Sequence, residues 1–181
     1  MKTLNLLLVL FFIFFAGCKS QESQTKVAQN KDKESELQQL QYQNALRALE
    51  NNSFTIQAEY VTIKTDPPVY VNPTTNFITQ KDGKATIQVS PIEGFEGPNG
   101  VGGVTVDGIA SKTEMKIDKK GTVTYTMRFS AFNVPASVII TMFKDSNYCI
   151  ATLHYSGSAK AKLNGTLYPV DDVFINKGRT F

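Results

Sequence analysis

TVTYTMRFS, the stretch from Thr122 to Ser130, alternates polar and apolar side chains without a break. Its apolar members are Val123, Tyr125, Met127 and Phe129. Successive side chains of a β-strand point to opposite faces of the sheet, so this period of two places one face in a core and the other toward solvent. The stretch therefore predicts a half-buried antiparallel strand.

Two hairpins are indicated around this strand. DKKG (118–121) separates it from a preceding apolar stretch and is typical of a hairpin turn. Downstream, KDSN (144–147) joins SVIITMF (137–143) to YCIATLHY (148–155). Because the last two stretches are apolar on both faces in places, we expect central strands there.

Further short stretches of strand character fill the rest of the chain after residue 53. They begin at Phe54, Val69, Asn76, Ala85, Val104 and Ala159. Turn residues separate them, and no helical segment lies between them. We therefore predict an all-β fold class for residues 53–181, an antiparallel β-sandwich or barrel of about eight to ten strands, preceded by one N-terminal α-helix.

That helix is predicted over residues 34–52, where ESELQQLQYQNALRALEN consists of strong helix formers. Leu37 and Leu40 share one face, and Tyr42, Ala45, Leu46 and Leu49 recur at steps of three and four, so the apolar stripe drifts round the helix, which is expected to dock on the β domain. Residues 18–33 are rich in Lys, Gln, Ser and Glu and contain few aliphatic side chains. Such a stretch buries too little surface to offset chain entropy, and it predicts a flexible tether.

The chain begins with the pattern of a bacterial lipoprotein signal. Lys2 precedes the apolar run LLLVLFFIFF (6–15), and Ala16 and Gly17 lead into Cys18. The run is about half the length of a membrane-spanning helix. Residues 1–17 are therefore predicted to be a lipoprotein signal peptide and Cys18 the lipidation site, although Phe15 stands where such signals usually have an aliphatic residue. An ordinary cleaved signal peptide, which would leave the protein soluble, is the alternative.

Lipid on Cys18 would make the membrane a partner of the protein, since two or three acyl chains hold a protein stably where one does not. Lys19 and Ser20, not aspartate, stand immediately after Cys18, which by analogy with enterobacterial sorting argues against retention at the inner membrane. Glu22 alone is too few acidic residues to resemble a surface-export signal. We therefore expect an outer-membrane lipoprotein that faces the periplasm, with the cell surface as an alternative.

Charge and composition exclude several classes of function. The formal net charge is +3, and removal of Lys2 with the signal lowers it to +2. The charges are interspersed, so no nucleic-acid partner is expected. With Cys18 lipidated, Cys149 has no partner for an intramolecular disulfide. His154 is the single histidine, which excludes a multi-histidine zinc site, and no cofactor is expected.

No catalytic residues are predicted. Cys149 and His154 are five positions apart on one predicted strand, so they should face opposite sides of the sheet and cannot act as a nucleophile and base. The pairs Asp171–Asp172 and Glu93 with Glu96 do not resemble positioned acid–base carboxylates. We therefore expect a protein that is not an enzyme.

Two loops offer candidate ligand-binding residues. YVNPTTNF (70–77) places Tyr70, Asn72 and Asn76 where a sugar could be held by stacking and amide hydrogen bonds; the competing interpretation, which the pattern favours, is a Pro/Asn turn flanked by core aromatics. FEGPNGVGG (95–103), which contains Asn99, is rich in glycine but lacks the Gly-Lys-Ser/Thr ending of a phosphate-binding loop. It predicts an open loop between strands, where binding residues often lie.

The two stretches GPNGVGGVTVDGIASKTEMKIDKKGTVTYTM (97–127) and YVNPTTNF resemble domain-of-unknown-function family 4251, found in predicted lipoproteins of the Bacteroidota. The resemblance covers roughly residues 45–181. It implies an all-β domain in the cell envelope. It implies no activity or catalytic residue, because the family has none assigned.

Together these features favour a non-catalytic lipoprotein domain that binds a small ligand or an envelope protein through the loops around Asn72 and Asn99. One alternative is a structural or assembly accessory of an envelope complex. A second is a hydrolase that acts on glycan or peptide.

Overall fold

The computed structural model describes residues 21–64, 66–90, 99–132, 134–155 and 158–180. The described residues belong to two units, which divide between Leu37 and Gln38. The described elements are α1 (Gln21–Glu50), β1 (Phe54–Ile63), β2 (Val69–Tyr70), β3 (Phe77–Lys81), β4 (Lys84–Val89), β5 (Val104–Ile117), β6 (Val123–Ala131), β7 (Val134–Met142), β8 (Tyr148–Tyr155) and β9 (Ser158–Pro169).

The sheet is a closed antiparallel barrel. Strands β3 to β9 pair in chain order, and β1 pairs with β3 on one side and with β9 on the other. Strand β2 lies on the same edge of β1 as β3. Strand β3 pairs with the first half of β1, and β2 pairs with the second half through Tyr60 and Val61. The all-β prediction is confirmed, and of the two architectures it left open the chain adopts the barrel.

The barrel interior is filled by side chains that alternate along the strands, as the period of two predicts. Strand β6 contributes the four apolar residues of TVTYTMRFS, all buried. Phe54 and Tyr125 meet edge to face at a centroid distance of 5.4 Å. The Tyr125 hydroxyl lies 2.6 Å from Asn52 Oδ1 and 2.9 Å from Gln80 Oε1, so the polar atom of this interior aromatic is satisfied.

The last part of α1 packs on the barrel end at which β1 begins. Tyr42, Ala45 and Leu49 are buried there, and Leu46 is partly buried. The Tyr42 hydroxyl lies 3.5 Å from the Gly121 carbonyl oxygen in the β5–β6 turn. The predicted docking of the helix on the β domain is therefore confirmed for residues 38–50.

Two elements differ from the predicted boundaries. Helix α1 begins at Gln21, inside the stretch predicted as a tether over 18–33. The prediction rested on the lack of apolar side chains, which limits packing but does not prevent Gln, Glu, Lys and Ala from forming helix. Strand β5 runs unbroken from Val104 to Ile117, where two strands were expected. Its pairing with β6 shifts register between Ser111 and Glu114 and then continues, so the strand is not interrupted there.

Candidate functional site

The four predicted ligand-binding residues lie in two different environments. Tyr70 in β2 is 77% exposed, and Asn72 is exposed in the turn that follows. Asn72 Oδ1 accepts hydrogen bonds from the Thr74 amide (3.0 Å) and the Thr74 hydroxyl (2.9 Å), which holds the turn in shape. Tyr70 and Asn72 are therefore accessible to a ligand from solvent.

Asn76 is fully buried. Its Oδ1 accepts a hydrogen bond from the Ser90 amide at 2.7 Å, and its Nδ2 donates to the carbonyl oxygens of Asn72 (3.0 Å) and Ser90. The side chain thus joins the turn before β3 to the residue after β4. Its amide is engaged within the protein, as the turn interpretation implies.

Asn99 is 2% exposed and closes the end of the Gly-rich loop. Its Oδ1 accepts from the amides of Val101 (3.0 Å) and Gly103 (2.9 Å), and its Nδ2 donates to Thr105 Oγ1 (3.0 Å). Residues 91–98 of this loop, with Glu93 and Glu96, lie outside the described residues. Of the four candidates, Tyr70 and Asn72 are the two that present polar atoms to solvent.

Tyr70 forms a pair with Tyr60, its register partner on β1. The ring centroids are 4.1 Å apart, and the two hydroxyls are hydrogen-bonded. This hydrogen bond is the main cause that raises the pKa of Tyr60 to about 12. The sequence did not indicate Tyr60, because the register shift between Ala58 and Tyr60 in the β1–β9 pairing interrupts the period of two just before it.

A second set of polar groups lies on the outer face of β1, β3, β4 and β5, beneath residues 171–180, here called the C-terminal segment. Gln88 is at its centre. Gln88 Nε2 donates to the carbonyl oxygens of Thr75 (3.0 Å) and Asn176 (2.9 Å), and Oε1 accepts from Thr105 Oγ1 (2.7 Å) and the Gly178 amide (2.8 Å). All four hydrogen-bonding positions of this buried amide are occupied.

Two ion pairs fasten the C-terminal segment at the same face. Lys177 Nζ lies 2.7 Å from both carboxylate oxygens of Asp107, and Lys81 Nζ lies 2.8 Å from Asp171 Oδ1. The hydrogen bond with Asp171 raises the pKa of Lys81. Partial burial by itself would raise the pKa of Asp107, but hydrogen bonds from Lys177, Thr86 and Thr180 outweigh it and hold that pKa below the usual 3.8.

The lowered pKa of Asp107 predicts that the C-terminal segment loosens in acid. A carboxylate whose pKa is lower in the folded state adds stability above its unfolded pKa, and that stability is lost as the pH falls through the folded pKa. We therefore expect the amide NMR signals of Gly178 and Arg179 to stay constant above pH 3.8 and to shift toward those of an unstructured chain below it.

The control for this titration is Asp107→Asn, which removes the ionisable group and keeps its shape. In this variant the acid transition of the two amides should be lost or strongly reduced. An unchanged transition would show that another carboxylate controls the segment.

The groups that resemble catalytic residues are separated. Cys149 faces the barrel interior and is fully buried, which raises the pKa of its thiol and keeps it a neutral, weak nucleophile. His154 lies on the opposite face of β8, whose register with β7 is regular throughout.

Among the described residues, no group of three or more His, Cys, Asp or Glu side chains is placed to hold a metal ion. In the same residues we find no helix with the length and hydropathy of a membrane span.

Comparison with known proteins identifies one family. A family model for a domain of unknown function, DUF4251, matches residues 34–167. The crystal structure of a DUF4251 family protein from Bacteroides eggerthii DSM 20697 is similar, with 28% sequence identity and a TM-score of 0.62 over 74% of this chain and 91% of that chain. No curated protein matches. The C-terminal segment begins after the last matched residue.

Proposed function

The chain belongs to the DUF4251 family of domains of unknown function, and from this premise we propose that it is a non-catalytic binding domain of a cell-envelope lipoprotein. The domain takes a ligand or a partner protein on the outer surface of its barrel. The observation that carries the proposal is the exposed Tyr60–Tyr70 pair beside Asn72.

The filled interior supports a site on the outside. An eight-stranded barrel is just wide enough to hold its own side chains or one small ligand. Here the interior is occupied by large buried side chains, among them Phe54, Tyr125, Met127, Ile140 and Met142. Binding by the described residues therefore falls to the surface and the loops.

The chemistry of the Tyr60–Tyr70 pair supports contact with a ring or an apolar group. Tyr70 presents a large exposed aromatic face, and its position against Tyr60 limits its motion, so little conformational entropy is lost on binding. Asn72, two residues on, adds an amide whose Nδ2 has no hydrogen-bond partner among the described residues, so a sugar ring or a partner side chain fits this surface.

The test compares Tyr70→Ala with Tyr155→Ala in the full-length protein. Tyr155 is also an exposed tyrosine, at the end of β8, and serves as the matched control. Binding is measured by retention of glycans and proteins extracted from the cell envelope on each immobilised variant. We expect Tyr70→Ala to weaken retention of a specific component about tenfold, or about 1.4 kcal/mol, and Tyr155→Ala to leave it unchanged. If Tyr70→Ala retained that component as well as Tyr155→Ala does, the proposal would be contradicted.

The envelope location is proposed from the signal pattern that ends at Cys18, which lies outside the described residues. Lipid on Cys18 would hold the barrel at the periplasmic face of the outer membrane. In Cys18→Ala the protein should move from the membrane to the soluble fraction, whereas Cys149→Ala should remain with the membrane. A Cys18→Ala protein that stays membrane-bound would exclude the lipid anchor.

A further inference from the structure

We propose that the outer face of β1, β3, β4 and β5 is a binding groove for an extended peptide of a partner protein, and that the C-terminal segment occupies this groove as a built-in competitor. The peptide carries a basic residue followed by glycine. This site is separate from the Tyr60–Tyr70 pair and does not depend on the function proposed for it.

The C-terminal segment is held mainly through its main chain. The amides of Asn176 and Arg179 donate to the carbonyl oxygens of Thr74 (2.8 Å) and Asn99 (2.7 Å). Gln57 Nε2 donates to the Phe174 carbonyl oxygen at 2.7 Å, and Gln88 binds both Asn176 and Gly178 as described above. Main-chain atoms are common to every peptide, so these contacts would receive an extended chain of another origin equally well.

Phe174, the largest side chain of the segment, is 76% exposed, whereas Val173 and Ile175 on either side of it are partly buried. The segment follows Pro169, the last residue of β9, and the closing pairs between β1 and β9 include none of its residues. The C-terminal segment therefore lies against the outside of a barrel that closes without it.

Two positions of the groove are selective. Asp107 accepts hydrogen bonds from Lys177 and from Thr180 Oγ1 (2.8 Å), which calls for a basic residue there. At Gly178 an added Cβ would lie 2.5 Å from the Asn99 carbonyl oxygen, so a residue larger than glycine does not fit without a shift. The groove thus recognises Lys-Gly-x-Thr or a close variant.

The groove is ordered by contacts that do not involve the segment. Gln88 forms hydrogen bonds with Thr75 and Thr105, and Asn99 forms them within its own loop. Asp107 Oδ1 accepts a hydrogen bond from the Thr86 hydroxyl at 2.5 Å. These groups would keep their orientation when the segment leaves, and a preformed site binds with little ordering cost.

The test uses the full chain with Gly178→Ala, which displaces the segment but leaves every groove residue in place. The probe is a fluorescein-labelled synthetic peptide of residues 170–181, followed by fluorescence anisotropy. We expect the variant to bind the peptide with a dissociation constant of roughly 1 to 100 µM. The wild-type protein should bind it at least about tenfold more weakly, because its tethered segment competes at high effective concentration.

Peptide controls test the selectivity. A peptide with Lys177→Glu and Gly178→Ala should not bind, and equal binding of a scrambled peptide would overturn the proposal. Failure of the variant to bind the wild-type peptide, with NMR showing its own segment displaced, would also overturn it.

Two further outcomes are decisive. If the segment remains in place in Gly178→Ala, the test is repeated with Gly178→Val, and a segment that stays docked in both variants would exclude a displaceable competitor. Light scattering is run in parallel. A stable dimer of the wild-type protein that dissociates on Gly178→Ala would assign the groove to a second copy of the chain and overturn the peptide partner.

Discussion

Replacing Gly165 with alanine is expected to destabilise the barrel by about 3 kcal/mol or more, or to prevent folding. Gly165 in β9 faces Ala58 of β1 at the pairing that closes the barrel. An added Cβ would overlap the Gln57 carbonyl oxygen and would lie 2.7 Å from the Ala58 Cα. Because both neighbours are main-chain atoms of a paired strand, they cannot move aside without breaking the ladder.

The free energy of unfolding from urea titration, followed by circular dichroism, measures this effect. Thr166→Ala, next to Gly165 and partly exposed, is the control and should change stability by no more than about 0.5 kcal/mol. If Gly165→Ala were as stable as this control, the close approach of β1 and β9 would be disproved.

Gln88→Ala should be the second most damaging change, with an expected loss of about 2 to 4 kcal/mol. It removes the hydrogen-bond partner of the Thr75 and Asn176 carbonyl oxygens and of the Gly178 amide, and it leaves the Thr105 hydroxyl with Asn99 Nδ2 alone. Two of these groups, the Asn176 carbonyl oxygen and the Gly178 amide, belong to the C-terminal segment. We therefore also expect the segment to detach, which the NMR signals of the Gly178 and Arg179 amides would report.

Gln57→Ala is the matched control for this variant. Gln57 also holds the C-terminal segment, but through one hydrogen bond at an exposed site, so its loss should cost about 1 kcal/mol or less. Equal losses for the two glutamines would mean that the buried network around Gln88 contributes no more than a surface contact does.

Strand positions could be predicted because the signal for a strand is local. In β6 the alternation of TVTYTMRFS matches the observed alternation of buried and exposed side chains residue by residue. The β7–β8 hairpin was predicted from the turn residues KDSN (144–147) between two apolar stretches. The closure of the barrel could not be predicted this way, since the pairing of β1 with β9 joins residues such as Ile56 and Leu167 that are far apart in the chain.

The structure separates the four candidate residues by their exposure. Tyr70 and Asn72 are exposed as a binding surface requires, but Asn76 is buried against Ser90, a neighbour that the turn sequence gives no sign of. Tyr60 was not identified from the sequence, because the register shift next to it prevents the alternation from assigning the face of the sheet on which it lies. Asp107 and Lys177 were missed because 70 positions separate them, and neither has a local pattern that marks it.

By itself the sequence determined the fold class, the hairpins and the presence of a helix that docks on the β domain, because each depends on the spacing of side chains within one short stretch. Only the tertiary structure decided that the sheet closes, which asparagines are buried, and that the C-terminal segment lies in a groove of polar side chains. These features depend on contacts between residues far apart in the chain, and such contacts form only when the whole barrel has packed.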